Sequence, residues 1–355
     1  MTATDNGAAE VLIERRGRVG HLTLNRPKAI NALNHSMVHR ITEALTEWGQ
    51  DSDVETIVIT GAGERGLCAG GDIVSIYHDA KSGGAASREF WRDEYILNAM
   101  IASYPKPYVA VMDGLVMGGG IGVSAHGSHR IVTERSALAM PEVGIGFVPD
   151  VGGTYLMAHG PGELGTHMAL TTTRLGPGDA IVAGFADHFV PVADIPELLR
   201  ALEDQPADDA IGRFAQDPPE SALSDDRDWI DECYSADTVE IIVARLRRNG
   251  QPDTADAILS KSPTAVKVAL RSLRRAREAA DLETVLNDEY RVSLACLASS
   301  DFFEGIRAQV IDKDRNPRWS PPTLEEVGDD MVAHYFAERD DNELGLVPTV
   351  REGQR

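Results

Sequence analysis

The chain has 355 residues, enough for one large domain or one domain with a substantial appendage. Hydrophobic residues make up 43% and charged residues 25%, a balance that supports a buried core and excludes a disordered chain. The net charge of −22 disfavours nucleic-acid backbones and anionic lipid, yet leaves room for an anionic small molecule that meets a local field.

The first half alternates short strands with helices. Val11–Arg15 and Arg18–Leu24 read as two strands turning at Gly17. Ser36 is the expected cap of a helix with a Met37, Ile41, Leu45 and Trp48 stripe, stopped at Gly49. Thr56–Thr60 is a β-branched strand followed by a glycine-rich loop, Gly61 to Gly71. A second amphipathic helix spans Ser87–Ser103, and the strand Tyr108–Met112 runs into Gly118-Gly119-Gly120. His129–Thr133 and Ala137–Met140 add short strands, and helical patterns return over Gly153–Leu170 and after Pro177. The fold class is α/β with glycine loops at strand ends.

From Glu203 to about Asp228 the chain is acidic, proline-dotted and weakly periodic, as a surface connection would be. Helices are expected over Thr238–Asn249, Thr254–Lys261, Ser262–Ala279, Leu282–Leu297 and Phe302–Ile311, with a frayed charged tail from Arg339. The expected division is a core over 1–205 and a mostly helical region over 206–355. Cys68, Cys233 and Cys296 are scattered, which argues against disulfides and structural zinc and for a reducing compartment. The polar start, Met1 to Glu10, lacks the pattern of a targeting segment, and the most apolar run, Val109–Ala125, is broken by Asp113 and glycines. A cytoplasmic protein with no membrane association is therefore expected.

Four features bear on chemistry. Gly61-Ala62-Gly63-Glu64-Arg65-Gly66 has the dinucleotide fingerprint spacing, but Gly70 and Gly71 follow closely and would weaken the required helix by about 2 kcal/mol. Ala69-Gly70-Gly71-Asp72 and Met117-Gly118-Gly119-Gly120 each follow a strand; such loops either permit tight turns or present free backbone N–H groups to an oxyanion. Glu142 and Asp150 lie in the apolar, glycine- and proline-rich stretch Met140–Gly153, where desolvation would raise a carboxyl toward the range of a general base. Equally, Asp150 could cap the following helix and Glu142 could form a salt bridge. Finally, Lys267, Arg271, Arg274, Arg275 and Arg277 form a basic patch, either a solvated face or a place for ligand phosphates. Cys68 reads as a packing residue, and His126 and His129 lack a third metal ligand, so no metal site is expected.

Together these segments resemble the crotonase (enoyl-CoA hydratase/isomerase) superfamily. The resemblance is carried by Leu24-Asn25-Arg26-Pro27, Asn31-Ala32-Leu33-Asn34, Cys68–Asp72, Met117–Gly120 and Pro141–Gly146. Within it, the chain is similar to the 3-hydroxyisobutyryl-CoA hydrolase branch through Arg92–Tyr95, Phe147–Gly153, Ser235–Thr238, Lys261–Thr264, Asp301–Gly305 and Ile311–Asp314.

The resemblance implies a superhelix of ββα units followed by a mostly helical C-terminal region, and an oxyanion hole made by the amides of Gly71 and Gly119. It implies Glu142 as nucleophile or base, Asp150 as its partner, and Glu94, Gly119, Glu142 and Asp150 around the substrate. The reaction implied is hydrolysis of 3-hydroxyisobutyryl-CoA or a similar short 3-hydroxyacyl-CoA, in valine breakdown. Coenzyme A would be part of the substrate and no separate cofactor is expected. The second glutamate of the hydratases would fall at Gly122, which disfavours hydration. A different acyl-CoA hydratase or isomerase remains the alternative enzyme, and a nucleotide-binding module the alternative outside enzymology. The superfamily often assembles as trimers or paired trimers, so a homo-oligomer stays open at the level of sequence.

Overall fold

The computed structural model describes residues 9–339 and 342–348. Residues 1–8, most of the start expected to carry no targeting segment, and 349–355 of the charged tail lie outside the described residues.

Strands β1 (Val11–Arg16) and β2 (Val19–Leu24) form the expected antiparallel hairpin. Then come α1 (His35–Gln50), β3 (Thr56–Gly61), α2 (Ile73–Ala80), α3 (Ala85–Ala102), β4 (Tyr108–Met112), β5 (Leu115–Met117), α4 (Gly119–Gly122), β6 (His129–Val132) and β7 (Ala137–Ala139). Helices α5 (Gly153–His159), α6 (Leu164–Thr171) and α7 (Pro177–Val182) lead to β8 (His188–Phe189). The remainder is helical: α8 (Ile195–Leu202), α9 (Ala207–Phe214), α10 (Ala222–Asp225), α11 (Arg227–Tyr234), α12 (Val239–Arg248), α13 (Pro252–Leu259), α14 (Pro263–Glu278), α15 (Leu282–Leu297), α16 (Ser300–Ile306) and α17 (Asp329–His334).

The main sheet has the order β1-β2-β3-β4-β6-β8, parallel throughout except for the β1–β2 edge. A second, ragged layer is built by short pairings: Leu33 with Gly71, Cys68 with Val116, β5 with β7, and Leu138 with Leu175. Successive turns of the chain thus give one strand to each layer, which is the expected ββα superhelix. Alternation along the strands separates the two faces of the main sheet. Ile57 and Ile59 join the large core with α1 and α3, while Val58, Val109 and Ile131 pack under α8 and α9.

Several local expectations are corrected. The α1 cap is Asn34, whose side chain accepts from Met37 N at 2.9 Å, and the helix runs through Gly49 to Gln50. The Gly153–Leu170 pattern is two helices broken at Gly160-Pro161. The presumed surface connection after Glu203 contains α9, which buries Ala207, Ala210 and Ile211 against the sheet. The tail is not frayed where it is described: Leu344 is buried, Arg291 pairs with Glu343, and Asn287 holds Leu346 through both its amide N–H and its carbonyl. Gly61–Gly66 opens no helix, because Gly66 instead pairs with Gly114. No helix among the described residues is long and apolar enough to cross a membrane.

The C-terminal helices share the large core with the superhelix. They contact the site's elements directly, α14 on α5, α15 on α3, and α16 against the turn that carries Glu142.

Candidate active site

The first glycine loop is held from below by the segment before α1. Asn31, fully buried, donates to Ala62 O and Gly66 O, both at 3.1 Å. Arg26 reaches Asp72 Oδ2 at 2.9 Å. Leu33 N donates to Gly70 O and Asp72 N donates to Leu33 O, each at 2.8 Å, so Gly71 is fixed from both sides. Its own N–H donates to no acceptor among the described residues, and the same holds for Gly119 at the start of α4.

The two loops meet. A Cβ placed on Gly119 would stand 3.4 Å from Gly71 N and 2.5 Å from Glu94 Oε1. Gly118, before it, adopts φ 46° and ψ −119°, a conformation closed to side chains bearing Cβ. The paired, unclaimed amides have the form of an oxyanion hole.

The carboxylates surround this pair. Glu142 begins the turn after β7, with Oε1 3.1 Å from where a Gly118 Cβ would stand. Glu94 comes from the buried face of α3, and Asp150 from the loop entering α5. Relative exposures are 2% for Glu94, 6% for Glu142 and 5% for Asp150, so all three carboxyls are largely withdrawn from bulk water. Neither alternative reading of the loop carboxylates holds. Glu142 makes no salt bridge among the described residues, and Asp150 meets α5 through its backbone carbonyl, which accepts from Gly153 N at 2.7 Å, while the Gly152 and Thr154 amides are taken by another residue.

That residue is Glu289 on α15. It accepts from Gly152 N at 2.6 Å, Thr154 N at 3.0 Å and Thr154 Oγ1 at 2.5 Å. Asp150 instead accepts from Tyr95 Oη at 2.7 Å, and Tyr95 lies 2.7 Å from Ser293 Oγ. The loop is also gripped by aromatic packing: Trp91 stacks on Phe147 at 5.3 Å, and Phe147 meets Phe302 at 5.4 Å. Close backbone contacts of Gly146 with Asp301 and of Gly305 with Ile145 leave no space for side chains there. The C-terminal helices therefore build the back wall of the site.

Burial dominates the electrostatics. It pushes Glu142 well above the carboxylate range, with the Asp150 charge adding to the shift. Glu94 is raised for the same two reasons. Burial raises Asp150 to about 7, opposed by the Tyr95 hydrogen bond. It raises Glu289 to about 8, opposed by the Thr154 and Gly152 donors. A raised, geometrically free carboxyl beside an oxyanion hole suits a base or nucleophile in acyl transfer.

Sequence reasoning brought together Gly71, Gly119, Glu94, Glu142 and Asp150. It missed Tyr95, Asn98, Glu289 and Ser293. Asn98, wholly buried, has both amide atoms unpartnered, as are Glu94 Oε1 and Glu142 Oε2. Beside Gly71 an apolar cleft of about 220 Å³ is lined by Leu33, Ile76 and Phe90 with Asn34, His35 and Ser87 at its rim.

Other candidates fall away. Burial pushes the Cys68 thiol up to about 12, consistent with a packing residue. Four of the five basic residues of α14 are ion-paired within the chain. Arg274 and Arg277 bind Glu163 at 2.9 and 2.8 Å, Arg275 binds Asp288, Lys267 binds Glu240, and Arg271 lies over Phe336. His126 hydrogen-bonds Val151 O and His129 pairs with Asp208. Among the described residues, those that could hold a metal ion are His35, His39 and Asp93, at the surface, with both imidazoles on one Asp93 oxygen at 2.6 and 3.3 Å.

The profile of the enoyl-CoA hydratase/isomerase family matches residues 19–336. A curated relative from Rattus norvegicus, named 3-hydroxyisobutyryl-CoA hydrolase, mitochondrial, is 44% identical over 342 residues, covering 92% of this chain and 89% of its own length. A solved structure titled as a carnitinyl-CoA dehydratase from Mycobacterium thermoresistibile is 54% identical with a TM-score of 0.92, covering 95% of this chain and 98% of its own. Another, titled as an enoyl-CoA hydratase from Rhodobacter sphaeroides 2.4.1, is 43% identical with a TM-score of 0.90, over 95% of this chain and 100% of its own.

Proposed function

The chain belongs to the enoyl-CoA hydratase/isomerase family, and on that premise we propose that it hydrolyses the thioester of 3-hydroxyisobutyryl-CoA, or a similar short 3-hydroxyacyl-CoA. The observation that carries this reading is a buried Glu142 whose Oε1 lies 3.1 Å from where a Gly118 Cβ would stand and whose Oε2 has no hydrogen-bond partner, on the glycine loop that carries the unclaimed Gly119 amide next to that of Gly71.

The thioester carbonyl oxygen sits between the Gly71 and Gly119 amides. Each donor contributes about 3 kcal/mol as negative charge develops on that oxygen. Two routes use the same carboxylate. Glu142 attacks the carbonyl carbon, the C–S bond breaks, and coenzyme A leaves as thiolate; water then opens the resulting mixed anhydride. Alternatively, Glu142 takes a proton from a water that attacks directly, and the same C–S bond breaks. Asp150, oriented by Tyr95, positions the water or binds the substrate's 3-hydroxyl, and Glu94 hydrogen-bonds the acyl end. The apolar cleft beside Gly71 admits the thioester arm.

The titles of the two solved structures name dehydration and hydration, chemistry that in this superfamily uses a second glutamate at the position of Gly122. Here a Cβ at Gly122 would stand 2.7 Å from Asn98 Nδ2 and 2.8 Å from Val151 Cβ. The space for that second acid is filled, and this favours hydrolysis, the activity named for the curated relative.

The test is release of free thiol from 3-hydroxyisobutyryl-CoA, with hydration of crotonyl-CoA followed on the same enzyme. Thiol release without hydration is expected. Hydration without thiol release would overturn the reading.

A further inference from the structure

Glu94 and Asn98 are one helical turn apart on α3, so their side chains leave the same face. That face lies over the short helix α4. Glu94 Oε1 meets the space above Gly119, and Asn98 Nδ2 meets the space above Gly122, 2.7 Å from where its Cβ would stand. Val151, next to Asp150, closes on the same point from the other side. Asn98 thus fills the space into which a longer residue at Gly122 would have projected.

Its chemistry is unsatisfied. Asn98 is 0% exposed, and neither Nδ2 nor Oδ1 has a hydrogen-bond partner. A buried amide left in that state is destabilising, and native structures tolerate few of them. Of the six unpartnered buried side-chain atoms among the described residues, four belong to Glu94, Asn98 and Glu142. Such a concentration marks a surface complementary to something polar that enters.

We infer that Asn98 is a substrate-binding residue whose carboxamide takes the 3-hydroxyl of the acyl group, donating through Nδ2 and accepting through Oδ1, and so sets a preference for 3-hydroxyacyl thioesters over unhydroxylated ones. A hydroxyl both donates and accepts, and an amide matches both roles. The amide also adds no charge to a chamber already holding Glu94, Glu142 and Asp150. Discrimination by a site built to bond a hydroxyl is steep, because the analogue lacking it leaves both amide groups buried and unpaired.

This rests on the acyl-thioester reading above, so the test uses binding and needs no turnover. In an E142Q background, dissociation constants for 3-hydroxyisobutyryl-CoA and isobutyryl-CoA are measured by calorimetry, with and without N98L. Leucine keeps the branching and heavy-atom count of asparagine, is bulkier, and removes its hydrogen bonds; N98A, which removes them without added bulk, is run beside it, and thermal unfolding verifies that each variant folds. The ratio of the two constants is expected to fall about 10–100-fold in both Asn98 variants. An unchanged ratio, or equal weakening of both esters as loss of a bound water would give, overturns the inference. If the parent enzyme releases no thiol while N98L still abolishes the preference, the hydrolase reading fails and the Asn98 assignment stands.

Discussion

Tyr95 donates its hydroxyl hydrogen to Asp150 Oδ2 at 2.7 Å, joining α3 to a loop 55 residues further along the chain. Ser293 Oγ, 2.7 Å away on α15, completes the relay by donating to Tyr95. The bond stabilises the ionised form of Asp150 and offsets part of the rise caused by burial, leaving it at about 7. Activity that needs an ionised carboxylate pair rises with pH through that region. In Y95F the opposing bond is gone, Asp150 holds its proton to higher pH, and the acidic limb of the kcat/KM profile is expected to move upward. A pH–rate profile of thiol release checks this; an unmoved limb would separate Tyr95 from the titration of the site.

Removing the Asp150 charge acts in the opposite sense on Glu142. The Asp150 carboxylate adds to the rise of Glu142 that burial begins. In D150N the remaining carboxyl loses its proton more easily, so the limb is expected to shift to lower pH while maximal turnover falls by about 10²-fold through loss of the partner. Upward displacement would contradict the coupling between the two groups.

Glu289 holds the loop that carries Asp150. Its two oxygens accept three donors from Gly152 and Thr154, so in E289Q the new amide N–H group faces one backbone N–H without an acceptor. A loss of about 1–3 kcal/mol of stability is expected, together with a lower kcat as Asp150 loses its fixed position. Thermal unfolding and steady-state kinetics on the same sample test both parts. Retention of wild-type stability would show that the Gly152–Thr154 turn holds itself.

The motifs for Gly71, Gly119, Glu142 and Asp150 are legible because each lies in a short segment with its own composition, glycine clusters after strands or carboxylates among apolar residues, whereas Glu94, in the charged run Arg92–Tyr95, enters only through the resemblance to the hydrolase branch. Tyr95, Asn98 and Ser293 looked like ordinary helix residues. Their meaning appears only when α3 and α15 pack, across a sequence separation of 198 for Tyr95 and Ser293. Glu289 reaches its donors across 135 and 137 residues. Helix α9 was hidden because Asp208 and Asp209 open it and its buried face is mostly alanine. The basic stripe of α14 looked like an anion site because its partners, Glu163, Glu240 and Asp288, come from other turns or helices.

The closed space above Gly122 gives a further prediction. G122A would press a methyl against Asn98 and Val151, and overpacking of this kind costs about 1–3 kcal/mol. G122E, which restores the hydratase pattern in sequence, is expected to lose stability and to gain no crotonyl-CoA hydration. Measurable hydration by G122E with an unchanged melting temperature would show that α3 can yield there.

The central claim is that the Glu142 carboxylate carries the attack on a thioester held by the Gly71 and Gly119 amides. The most direct measurement is the turnover of 3-hydroxyisobutyryl-CoA by E142Q, followed as thiol release, with binding of the same ester determined in parallel. A fall in kcat of about 10³-fold or more with binding largely retained is expected, since the substitution removes nucleophile and base while keeping shape. Near-wild-type turnover by E142Q would contradict the account.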